Sequence, residues 1–227
     1  MLTLETVNLR RWHRAIVVFF AAIAVTGSSL MVRMPLVRET LEVTTAQLGI
    51  LLVCGAVGAL IGLSLVGRFI ARFGSRRAAL LGMTVWFLGT IVQIAALGTH
   101  SAVLFAIGGF VAGLGVGNTD VAINVDGSAI EQRLGRAALP RMHAAFSIGA
   151  LVGAALGTAA IVLNIDLLVQ LAVIATTAYV IPLLGLRHMP VDNGLHTEEQ
   201  KQGGGWRSID KLEIGRASCR ERVSSPV

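Results

Sequence analysis

The chain has 227 residues, 54% of them hydrophobic and only 14% charged, with a mean hydropathy of +0.73. A soluble domain usually carries about 25% charged residues, so this balance excludes one. The formal charge of +6 and pI of about 10.6 do not indicate nucleic acid as a partner, because the arginines lie in short loops between apolar runs and not on a basic soluble face.

Apolar runs fall at about 15–34, 46–66, 78–98, 102–123, 143–163 and 166–186. Each is long enough to cross a hydrocarbon core of about 30 Å as a helix. None shows the period-two alternation of a barrel strand. The first run lacks a small-residue cleavage site and is not read as a removable signal peptide. Cys54 lies inside a run and Cys219 near the end of the chain, so no disulfide framework is implied. The expected fold is an all-α bundle of about six membrane helices over residues 1–187, with the lipid bilayer as its surroundings.

Loop charge sets the expected orientation. Arg10, Arg11 and Arg14 precede the first run, and Arg68, Arg72, Arg76 and Arg77 separate the second from the third. Arg133, Arg136 and Arg141 separate the fourth from the fifth, and Arg187 follows the sixth. The opposite loops hold Arg33 and Arg38 beside Glu39 and Glu42, then His100 and Asp166. Arginine and lysine accumulate on the cytoplasmic side, which places both ends of the bundle inside, in a multi-pass protein of the inner membrane.

Glycines recur at four-residue spacing: Gly58 and Gly62 in the second run, Gly109, Gly113 and Gly117 in the fourth, and Gly149, Gly153 and Gly157 in the fifth. That spacing places them on one helix face, where backbones can approach closely. Asp120 and Asn124 continue the face of Gly113 and Gly117. An Asp at the centre of a membrane helix costs about 2.5–3.5 kcal/mol on insertion scales, and such residues mark substrate or proton paths. The bland alternative ends the helix near Ile123 and leaves Asp120 capping locally. Asp126 follows with the same two readings. His143 opens the fifth run and could line a path or rest at the interface. Arg33, near the outer end of the first run, either snorkels to the interface or joins a solute path.

The loop Gly67-Arg68-Phe69-Ile70-Ala71-Arg72-Phe73-Gly74-Ser75-Arg76-Arg77 resembles the Gly-x-x-x-Asp-Arg-x-Gly-Arg-Arg signature of the major facilitator superfamily. Gly67, Arg72, Gly74 and Arg76 fall in place, while Ala71 stands where the family usually has Asp. The resemblance implies a cytoplasmic gating loop that includes these four residues and Arg77. Gly115, Gly117, Asp120, Ala122 and Asn124 are similar to the fourth-helix pattern of the fucose permease branch. The element Arg33-Met34-Pro35 and the segment Arg141-Met142-His143-Ala144-Ala145-Phe146-Ser147 resemble a set of poorly characterised bacterial permeases. The fucose permease also carries an acid in its first helix, where this chain has Met31 near Arg33 and no carboxylate.

The polar stretch 188–212, with Gly203, Gly204 and Gly205, has the composition of a flexible cytoplasmic linker. Residues Ile214 to Val223 can be encoded by a sequence resembling a short-read sequencing adapter, so 213–227 is expected to be an artefact following a cut near Leu212. The expected whole is then the N-terminal half of a secondary transporter whose C-terminal half is missing. An apolar, glycine-lined face on the first, second, fourth and fifth runs would await that half. The expected activity is proton-coupled symport of a small polar solute such as a sugar, through Asp120, Asn124, His143 and Arg33. Efflux within the same superfamily, or a non-transporting scaffold or sensor, are the alternatives. No paired carboxylates, His metal cluster or Gly-x-Ser-x-Gly turn appears, so no enzyme, metal or cofactor is expected.

Overall fold

A computed structural model describes residues 4–195, with side chains from Asn8 onward. The expected linker beyond Leu195 and the expected artefact at 213–227 lie outside the described residues. Every regular element among the described residues is a helix: α1 (Leu4–Val32), α2 (Met34–Thr40), α3 (Thr45–Phe73), α4 (Ser75–Gly98), α5 (Ala102–Leu134), α6 (Leu139–Val162) and α7 (Leu167–Leu186). All except the short α2 are long and apolar enough to span a membrane. The expectation of six spans in an all-α bundle therefore holds.

The ends of these helices follow local chemistry. Thr44 and Gln47 form a reciprocal capping box at the start of α3. The Asp166 carboxylate accepts the amides of Leu168 and Val169 at the start of α7, at 2.9 and 3.1 Å. Gly135, with φ of 62°, ends α5 in the left-handed conformation that glycine tolerates best. Glu131 then reaches across the turn, and its Oε2 accepts the amides of Ala138 and Leu139 at 2.8 and 3.0 Å. These amides at the entry to α6 have no carbonyl partner within the helix, so a carboxylate there satisfies them.

Two boundaries differ from the sequence reading. The fourth span runs on to Leu134, so the helix does not end near Ile123 and Asp120 is not a local cap. At 33 residues α5 is about 50 Å long, more than the hydrocarbon needs, and hydropathy registers only its apolar part. The packed unit also continues to Leu195, past the boundary expected at 187. Met189 is buried, and Ser75 N–H donates to the Asn193 carbonyl at 2.8 Å. The residues that directly follow α7 are thus docked on the bundle.

The helices form two groups with the same internal plan. In the first, α5 packs between α3 and α4; in the second, α1 packs against α6 and α7. The parallel neighbours approach backbone to backbone through glycine. On α3 and α5, a Cβ at Gly58, Gly62, Gly113 or Gly117 would strike the facing main chain. On α6, Gly149, Gly153 and Gly157 lie successively against Ala21, Val25 and Ser29 of α1. A second stripe on α5, Gly108 and Gly115, fits α4 at Gly89 and Gly82. The glycine stripes are consequently internal seams. The expectation that they line an open face is corrected: Gly58, Gly62, Gly117, Gly149, Gly153 and Gly157 are all buried within the bundle. What stays exposed is aliphatic, including Val53, Val57 and Leu60 on α3 and Ile148, Leu151 and Val152 on α6.

Arg33 sits in the bend between α1 and α2 and is 3% exposed. Its Nη2 donates to the Ile165 carbonyl at 2.7 Å, tying the α1 end to the α6–α7 turn. Snorkelling to the interface is corrected: the side chain turns inward because the orphan carbonyl of that turn offers an acceptor.

Candidate functional site

Along α5, Asp120 and Asn124 are one turn apart and half-buried. The Asn124 side-chain amide donates to the Asp120 carbonyl at 2.8 Å and to its Oδ1 at 3.3 Å. Gly117 and Gly62 mark the end of the tight α3–α5 seam toward the arginine-rich end of the bundle. Farther along α3, Gly67 is exposed and a Cβ there would meet nothing within 4 Å. The seam face of α3 itself continues buried through Val66 and Ile70, which join the core cluster that includes Ile123 of α5. His143, one turn into α6, is exposed and sets its ring edge-on to Phe20 of α1, with centroids 5.1 Å apart. Its imidazole is within electrostatic reach of the Asp120 carboxylate. The fold therefore brings Asp120 and Asn124 of α5, half-buried, near the exposed His143 of α6, which packs on α1. Arg33 does not join them, because it is fixed at the opposite end of the bundle by Ile165.

The loop between α3 and α4 distributes its signature residues unequally. Gly74 has φ of 84° and lies against the Val191 carbonyl, so both conformation and space demand glycine there. Arg72 is exposed, its guanidinium 5.4 Å from the Phe73 ring centroid, and Arg77 is exposed too, while Arg76 is half-buried. Gly67 faces open space.

Beneath this loop is a polar centre that sequence reasoning saw only in part. Asp126 of α5 is 0% exposed. Its Oδ1 accepts the Trp12 indole N–H at 2.8 Å and the Asn193 side-chain amide at 3.1 Å. The Asn193 amide also lies 3.3 Å from Ser75 Oγ. Asp126 thus ties α1, α5, the start of α4 and the segment after α7 together. Its identity as an acid in an apolar helix was a visible signal. Trp12 and Asn193 carried none, since both sit in polar surroundings in the sequence. An apolar cleft of about 570 Å³ among α1, α6 and α7 has no ionisable lining residue.

The chain belongs to the major facilitator superfamily, whose family model matches residues 15–222. The reciprocal packing of α1 and α5 fits the nested three-helix repeats of such bundles. Over 146 residues, 64% of this chain, it is 37% identical to an uncharacterized transporter of Sinorhizobium fredii. Over 150 residues, 66% of this chain, it is 31% identical to an uncharacterized MFS-type transporter of Yersinia pestis. Each match covers 38% of the relative's length, so the chain spans well under two thirds of these curated relatives.

Proposed function

We propose that this chain is the N-terminal half of a proton-coupled transporter of a small polar solute, such as a sugar, in the fucose permease-like branch of the superfamily. The observation that carries the reading is the Asp120–Asn124 pair, half-buried within a span and near the exposed His143. An ionisable group in a membrane helix is retained at a cost unless it serves a path. Ionised, the Asp120 carboxylate only accepts hydrogen bonds; protonated, it also donates one. Taking up a proton would therefore let Asp120 offer a hydrogen bond to a solute hydroxyl while Asn124 and His143 hold the remaining polar edge. The C-terminal half would close the other side of the path and cover the aliphatic faces of α3 and α6, as solute sites in such folds lie between halves.

Asp120→Asn tests this in the full-length transporter reconstituted in vesicles and screened with radiolabelled monosaccharides. Accumulation driven by a proton gradient should fall by at least about tenfold, the scale of a lost 1.4 kcal/mol coupling, while solute exchange without a gradient persists. Unchanged gradient-driven uptake would sink the proposal.

The arginine-rich end is proposed to face the cytoplasm, as the positive-inside bias supports. In a Cys54→Ser background cleared of any other cysteine, His100→Cys should react with a membrane-impermeant maleimide in intact cells. Arg77→Cys should react only after permeabilisation. The reverse pattern would invert the topology.

A further inference from the structure

At the arginine-rich end, the start of α1 and the α5–α6 turn enclose a cavity of about 290 Å³, near the lower end of the roughly 300–1,000 Å³ of ligand pockets. Arg10 and Arg14 line it from α1, and Arg136 and Arg141 from the turn and from α6. His13 also lines it, within electrostatic reach of Arg141 and Arg136, and its buried Nε2 has no hydrogen-bond partner among the described residues. Among the described residues no carboxylate lines the cavity. Glu131, the acid closest in sequence to the turn, is turned away to the amides of Ala138 and Leu139. Simple anchoring at the membrane surface requires cations, but it does not require four of them converging from separate segments on one recess with an unsatisfied ring nitrogen.

The geometry points to a binding site for a phosphate group in this cavity, held by the guanidiniums of Arg10, Arg14, Arg136 and Arg141 and by His13. Guanidinium forks match phosphate oxygens in shape as well as charge. Basic recesses between membrane helices on the cytoplasmic side take phospholipid headgroups, and a free phosphate would satisfy the same donors. The site is separate from Asp120 and does not depend on the transport proposal.

The test uses the full-length protein in phosphatidylcholine nanodiscs doped with phosphatidylglycerol, with retained lipid measured by mass spectrometry. Wild type should retain phosphatidylglycerol over phosphatidylcholine by about tenfold or more, given about 1 kcal/mol per basic residue at the surface. Arg136→Gln with Arg141→Gln should abolish that preference, and so should Arg10→Gln with Arg14→Gln, a second pair from another segment. Arg68→Gln with Arg77→Gln removes equal charge at the same end and should leave the preference intact. In a parallel arm, millimolar inorganic phosphate is added. Displacement of the lipid identifies a site for free phosphate, and no displacement identifies a headgroup site. Equal loss in pocket and control pairs would reduce the effect to diffuse surface charge and overturn the proposal. Failure of wild type to select either probe would overturn it too, leaving the arginines to a protein contact.

Discussion

Replacing Gly113 and Gly117 together by alanine should destabilise the bundle by about 3 kcal/mol. Two effects compete. Alanine favours helix over glycine by about 1 kcal/mol per site, which would stabilise an open position. At Gly113, however, the new Cβ would strike the Gly55 carbonyl and approach Ala59 N at 3.0 Å. At Gly117 it would strike the Ala59 carbonyl and approach Leu63 N at 3.0 Å. The obstacle is main chain in both cases, which cannot rotate away as a side chain can, so α3 and α5 must separate along the whole seam. Overpacking of this kind costs about 1–3 kcal/mol per site, and it outweighs propensity. Gly27→Ala is the matched control, because nothing lies within 4 Å of its new Cβ and propensity alone should act. Unfolding in mixed micelles by titration with sodium dodecyl sulfate reads both effects. An unchanged midpoint for the double variant would show that the seam is not tight.

Asp126→Ala should cost a similar amount, about 3 kcal/mol, by a different route. It deletes the one acceptor shared by the Trp12 indole and the Asn193 amide. A buried donor left unpaired costs about 1–3 kcal/mol; the buried Trp12 N–H bears that loss in full, while the half-buried Asn193 amide keeps Ser75 Oγ at 3.3 Å. Asp126→Asn keeps an acceptor at the same place and should cost about 1 kcal/mol. Trp12→Phe introduced into Asp126→Ala should add little, since its partner is already gone. The segment after α7 should loosen as well, because Asn193 loses one of its ties and keeps only those to Ser75, and trypsin should then cut faster after the exposed Arg187. Unchanged proteolysis with unchanged stability would mean that the Asp126 centre holds nothing together.

The fold class was legible because a span announces itself locally. Twenty apolar residues can only be satisfied as a helix in hydrocarbon, and six such runs with arginine at alternate turns define the bundle. The major facilitator resemblance rested on Gly74 and its neighbours, and Gly74 proved to be the position where conformation and contact both require glycine. Asp120 and Asn124 were legible as a pair because i and i+4 on one helix meet whatever the rest of the fold does.

Residue pairing between distant segments was not legible in this way. Hydropathy cut α5 at Ile123, since it measures transfer to lipid and not the hydrogen-bonded ladder that carries the helix on to Leu134. The glycine stripes were read as helix-packing surfaces from their spacing alone. Which neighbour each stripe fits, and that none of it is left for an open face, depends on the parallel placement of α3 on α5 and α6 on α1. Arg33 looked like an interfacial cation until the α6–α7 turn supplied its carbonyl acceptor. Trp12 and Asn193 gained a role only when separate segments met around Asp126. Sequence thus determined what each helix is and which residues share its faces, because those follow from short-range periodicity. Tertiary structure alone decided which faces are covered and which buried polar groups find partners, because those depend on contacts between residues far apart in the chain, such as Gly58 and Phe110 or Trp12 and Asp126.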